Sequence, residues 1–137
     1  MKKGFTLLEI TIVLIIVAVL AGLALPRLFS TVEYSRSTEA FMALQAQRSS
    51  IERCYAQVRD YTQCSNVDSL DIENPATSPG SHFTYKIAAN GAAGGFTLTA
   101  TRNAVDGGDS ISTIWITQDN TAGTVKKGGT GAYKGVK

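Results

Sequence analysis

The chain contains one histidine and two cysteines in 137 residues, and that scarcity closes off several kinds of chemistry. His82 has no cysteine or acidic cluster beside it at metal-ligand spacing, so no metal is expected there. No nucleophile, base and orienting group can be assembled into a catalytic set, so the sequence reads as a non-enzyme without a cofactor. The glycine-rich tail lacks the Gly-Lys-Ser/Thr ending of a phosphate loop. A formal net charge of +2 is too small to point to nucleic acid. The length leaves room for one domain and a membrane segment, not for two domains.

Charge is scarcest between Phe5 and Leu25, where 21 residues hold only Glu9 as an ionisable side chain. As a helix that run is about 30 Å long, the thickness of a bilayer's hydrocarbon core. A carboxylate inside it costs about 3 kcal/mol or more, which makes Glu9 a functional candidate in search of a partner. An ordinary membrane anchor or an uncleaved signal peptide is the plain alternative. A cleaved secretory signal fits less well, because the apolar run is too long and no Ala-x-Ala site follows it.

The residues around Glu9 carry a resemblance. Lys2-Lys3-Gly4-Phe5-Thr6-Leu7-Leu8-Glu9 resembles the processing site of a type IV prepilin, and the likeness continues through Gly22 and Pro26 to about Val32. The resemblance implies cleavage between Gly4 and Phe5 by a prepilin peptidase, with N-methylation of Phe5. It further implies that Glu9 meets the new Phe5 amine of a neighbouring subunit; the spacing also sets Phe5 one helical turn from Glu9 for local pairing, with Thr6 in place to donate to the same carboxylate. Removing the leader lysines leaves 11 basic and 11 acidic side chains. Lys2 and Lys3 place the amino-terminal side in the cytoplasm and the remainder outside it. In an exported protein, Cys54 and Cys64 then read as one disulfide.

The expected fold is α+β. Residues 1–4 form the leader and residues 5–58 one long helix, of which 5–25 spans the membrane or forms the filament core. Residues 59–137 form a head with an antiparallel sheet of three to four strands. Gly22 and Pro26 weaken the same helical turn, which is expected to kink, or to unwind in an assembly as related pilins do. Beyond it, Leu44, Ile51, Tyr55 and Val58, with Phe41, form an apolar stripe amid Gln45, Gln47 and Arg48. The alternating segments Phe83–Ile87 and Phe96–Thr101, together with Ile111–Thr117, read as strands separated by glycine-rich turns. Tyr85, Ile87, Phe96, Leu98, Ile114 and Ile116 are expected to cover the stripe, with Thr97, Thr99 and Thr101 facing water. The tail, with Val125 and Tyr133, reads as an edge strand or loop. On one helix the two cysteines would lie about 15 Å apart, too far for a bond, so the chain must turn back near Asp60–Thr62. No cysteine follows Cys64, unlike the stapled terminal loop of many larger pilins.

Three further groups of residues carry candidate ligand chemistry or an ordinary packing role. Asp106, Asp109 and Asp119 offer oxygen ligands to calcium, although Asp-Gly-Gly-Asp is also ordinary turn chemistry. Lys126, Lys127, Lys134 and Lys137 form a basic end able to touch DNA or an anionic surface. Phe29, Tyr34, Phe41, Tyr55 and Tyr61 read as core or interface aromatics rather than an electron path. The expected function is a structural subunit, held in the bacterial inner membrane before assembly. It then polymerises through its amino-terminal helices into an extracellular pilus for adhesion, motility or DNA uptake. The alternative is a pseudopilin of a type II secretion system.

Overall fold

The computed structural model describes residues 4–136, so Lys2, Lys3 and Lys137 lie outside the described residues. The first helix, α1, runs from Leu7 to Val58. It closes at Arg59, which takes a left-handed φ of 59° and donates its N–H to the Tyr55 carbonyl at 2.8 Å. That bond satisfies a carbonyl the helix end would otherwise leave unpaired. Two compact units divide the chain, Met1–Glu33 and Tyr34–Lys137, and α1 contributes to both.

In the first unit the helix passes through Gly22 and Pro26 without a break. The hydroxyls of Ser30 and Thr31 donate to the Arg27 carbonyl at 2.9 and 3.0 Å, one residue beyond the proline. Every described side chain up to Val32 is exposed.

The second unit is a four-stranded antiparallel meander under the remainder of α1. Its strands are β1 (Phe83–Ala89), β2 (Gly95–Arg102), β3 (Thr113–Asp119) and β4 (Thr124–Gly129), joined in the order β1-β2-β3-β4. Turns this short permit only neighbouring, antiparallel pairing. Ile87 stands opposite Leu98, and Leu98 opposite Ile116. That row, with Phe83, Phe96, Ala100 and Ile114, forms the buried face against Ala40, Leu44 and Ile51 of α1.

Several expectations need correcting. The buried stripe of α1 is Ser37, Ala40, Leu44, Gln47, Ser50 and Ile51, so half of it is polar. Val58 is exposed and Tyr55 only partly buried, because the helix ends there and the returning chain covers just one flank. The third strand starts at Thr113, two residues later than its apolar pattern suggests. Asp109 accepts the N–H groups of Ile111 and Ser112, which holds both in a turn and leaves Ile111 75% exposed. In the tail, Val125 is exposed while Tyr133 is buried, its ring 5.8 Å from that of Phe83. Thr97, Thr99 and Thr101 lie on the outer face and are half-buried.

The chain reverses after α1 under three restraints. Cys54 and Cys64 are bonded with their Cα atoms 6.0 Å apart. Tyr55 stacks on Tyr61 with centroids 3.9 Å apart. Asp71 accepts from Arg53 at 2.7 and 2.9 Å and from the Ser50 hydroxyl.

Two outcomes follow for stability. Both amide atoms of Gln47 are buried without a hydrogen-bond partner in the structure, and an unmet buried polar group costs about 1–3 kcal/mol. Gln47→Leu, of similar volume, is expected to stabilise the protein by about that amount. An unchanged or lower denaturation midpoint would contradict this. The Asp71 carboxyl is held at about 2 instead of 3.8, first by its hydrogen bonds from Arg53 and then by Ser50. A carboxyl lowered in the folded state stabilises above its unfolded value, and that contribution fades as pH falls from about 4 towards 2. Asp71→Asn should flatten the loss of stability across that window, read by circular dichroism. An equally steep acid transition in the variant would refute it.

Candidate functional site

The start of α1 is built by Thr6 and Glu9. Thr6 precedes the first helical residue, and its side chain and that of Glu9 satisfy each other's backbone. Thr6 donates its N–H to Glu9 Oε2 at 3.1 Å and its hydroxyl to the same oxygen at 3.1 Å. The Glu9 N–H donates in return to Thr6 Oγ1 at 3.2 Å. This is a capping box, and its signature, Thr-x-x-Glu ahead of an apolar run, was present in the sequence. One carboxylate oxygen is thus solvated by its own chain, and none of these bonds uses Oε1. Phe5 is 81% exposed beside it, and Gly4 is exposed as well.

Behind this box, Thr11 apart, the helix surface is apolar as far as Leu25. Leu7, Leu14, Ile15 and Leu20 are each more than half exposed, and none of the most apolar stretch is buried. Exposed apolar area on that scale marks a surface made for lipid or for other protein. At Gly22 an added Cβ would meet nothing within 4 Å.

The head brings together charged groups that lie far apart in sequence. His82 Nδ1 is 3.0 Å from Glu39 Oε2, and Nε2 is 3.1 Å from Asp106 Oδ2. Arg36 reaches the same Asp106 carboxylate at 3.6 Å. His82 therefore does have acidic neighbours, which sequence spacing hides because Glu39 is 43 residues away. Glu39 also faces Tyr85, whose hydroxyl is pushed up to about 12, chiefly by burial and further by the Glu39 charge. This cluster ties α1, β1 and the loop after β2 together. The three aspartates are engaged separately: Asp106 bridges to His82, Asp109 caps Ser112, and Asp119 caps Thr121 and Ala122 at 2.9 and 3.0 Å. Among the described residues no group of three acidic, histidine or cysteine side chains converges on a metal position.

Lys126 and Lys127 lie on opposite sides of the sheet. Lys127 stands opposite Ile116 on the helix side of the sheet, its Nζ 5.0 Å from the Phe41 ring centroid. Lys126 stands opposite Thr117 on the other side. Strand alternation separates neighbours that a loop would have kept together.

A profile of the prokaryotic N-terminal methylation motif matches residues 1–25. A second, described as type IV minor pilin ComP, DNA uptake sequence receptor, matches residues 26–114. The chain belongs to the type IV pilins. The pilin is 32% identical over 97 residues to a fimbrial protein of Moraxella nonliquefaciens, covering 58% of this chain and 60% of the relative. It is 27% identical over 126 residues to the type IV major pilin protein PilE1 of Neisseria gonorrhoeae, covering 92% and 74%. The pilin therefore matches only about three fifths of the length of the first relative. No solved structure matches it. Pilins are structural subunits and not enzymes, and the long helix over a small antiparallel sheet is the architecture this pilin adopts.

Proposed function

We propose that this pilin is cut between Gly4 and Phe5 by a prepilin peptidase, N-methylated at Phe5, and polymerised through α1 into an extracellular pilus. Residues 5–25 hold it in the inner membrane until assembly. The observation that supports this reading is the bare apolar helix opened by a carboxylate with one oxygen already engaged. Cleavage leaves the Thr6–Glu9 box intact and creates a cation at Phe5. In a bundle of aliphatic side chains an unpaired charge costs about 3 kcal/mol or more, so Glu9 of an incoming subunit settles where a neighbour's Phe5 amine lies. The pair fixes vertical register, while helix-on-helix burial replaces lipid contact.

Glutamine also serves at the third position of a capping box, which separates the two roles of Glu9. Glu9→Gln should keep the helix start and the processing but lose the charge. Mass spectrometry is expected to find N-methyl-Phe5 in that variant, while electron microscopy finds filaments reduced at least tenfold. Wild-type filament numbers would refute the register role. Short filaments confined to the periplasm of the wild type would mark a pseudopilin instead.

DNA capture by the assembled filament is the second part of the reading. It is favoured by the match of residues 26–114 to a DNA uptake receptor profile. Purified wild-type filaments should bind DNA with an affinity that falls steeply as salt rises, because lysine contacts to phosphate release counterions. Binding that ignores salt, or no binding at 50 mM salt, would refute it.

A further inference from the structure

The outer face of the sheet, turned away from α1, has a composition suited to a ligand. Lys86, Thr99, Trp115 and Gly128 stand in one row across the four strands, and Ala88, Thr97, Thr117 and Lys126 in the next. A third row holds Thr84, Thr101 and Thr113. The charged side chains of these rows are Lys86 and Lys126, both exposed. Asp119, further along the same face, adds one carboxylate, whose Oδ1 accepts the N–H groups of Thr121 and Ala122, so two lysines against one acid leave the face net positive. The face is therefore cationic and rich in hydroxyls.

Trp115 gives the face its centre. A Cβ added at Gly128 would fall 2.7 Å from Trp115 Cζ2, 3.1 Å from Cε2 and 3.4 Å from Cη2. The six-membered ring thus rests across the glycine, and only glycine leaves it room to lie there. An indole seated this way turns one π face to the backbone and the other outward. Two lysines beside an outward aromatic face complement an anionic chain that carries flat rings. A duplex keeps its rings stacked inside, out of reach of a flat sheet.

We propose that the outer face of the β1–β4 sheet binds single-stranded DNA, with Trp115 stacking on an unpaired base and Lys86 and Lys126 meeting the flanking phosphates. This rests on the DNA reading above and adds the face and the strand state. It makes no use of Lys127, which lies on the helix side.

Trp115 is the sole tryptophan, so its fluorescence reports on this face alone. Full-length protein in detergent would be titrated with a short oligothymidylate and with a duplex of equal length. The single strand should quench the emission, with the effect weakening as salt rises. By labelled-oligonucleotide anisotropy, Trp115→Ala should weaken single-strand binding roughly tenfold or more, as loss of one base–aromatic stack implies. Trp115→Phe keeps a ring over Gly128 and should retain most of the affinity, which guards against a folding defect in the alanine variant. Lys126→Ala should lower the salt slope by about one. Unquenched emission with the single strand bound, or an alanine variant that binds like wild type, would overturn the proposal. Binding of duplex alone would overturn it while leaving the DNA reading standing. Binding of neither form would sink both.

Discussion

A four-stranded meander with one apolar face needs a second layer before it is stable in water. In this pilin the second half of α1 supplies that layer, through Ala40, Leu44 and Ile51 against Ile87, Leu98 and Ile116. The other features of the head serve this contact. The disulfide, the Tyr55–Tyr61 stack and the Asp71 clamp turn the chain back just past the helix end. The His82–Glu39–Asp106 bridges hold the first strand and the loop after β2 to the same helix. Tyr133 closes the far side of the core over Phe83.

Much of this was legible in the sequence, because it rests on period and composition. The long helix, the alternating strands at Phe83 and Phe96, and the apolar residues of the sheet's inner face follow from patterns of 3.6 and 2. Features that depend on partners distant in sequence were not legible. Gln47 sits among the polar residues Gln45, Arg48 and Ser49 in the sequence, yet helical geometry turns it inward between Leu44 and Ile51. Ile111 continues an apolar pattern, yet the Asp109 side chain bonds its N–H and keeps it in a turn. The acidic partners of His82 come from another helix turn and another loop. At the amino terminus the Thr6–Glu9 box is present in the spacing, Thr-x-x-Glu ahead of an apolar run, and the same carboxylate that stands out for its charge also caps the helix.

Glu9 shows how one side chain can serve folding and assembly without conflict. Its exchange of hydrogen bonds with Thr6 starts the helix cleanly and depends only on local geometry. Its charge answers to whatever cation lies in an apolar surrounding, and so belongs to the proposed polymer rather than to the single chain. The first requirement is met by glutamine as well as glutamate, the second only by the acid.

The last strand carries a consequence of its own. Among the described residues β4 pairs with no strand but β3, so its outer side is a border of backbone donors and acceptors, the kind that invites strands of other molecules to add on. Lys126 and Lys127 set a positive charge on each side of that border, and two such borders brought together would repel. Heads crowded at high local concentration are thereby discouraged from zipping into a continuous sheet, which in the proposed polymer leaves order to the helices.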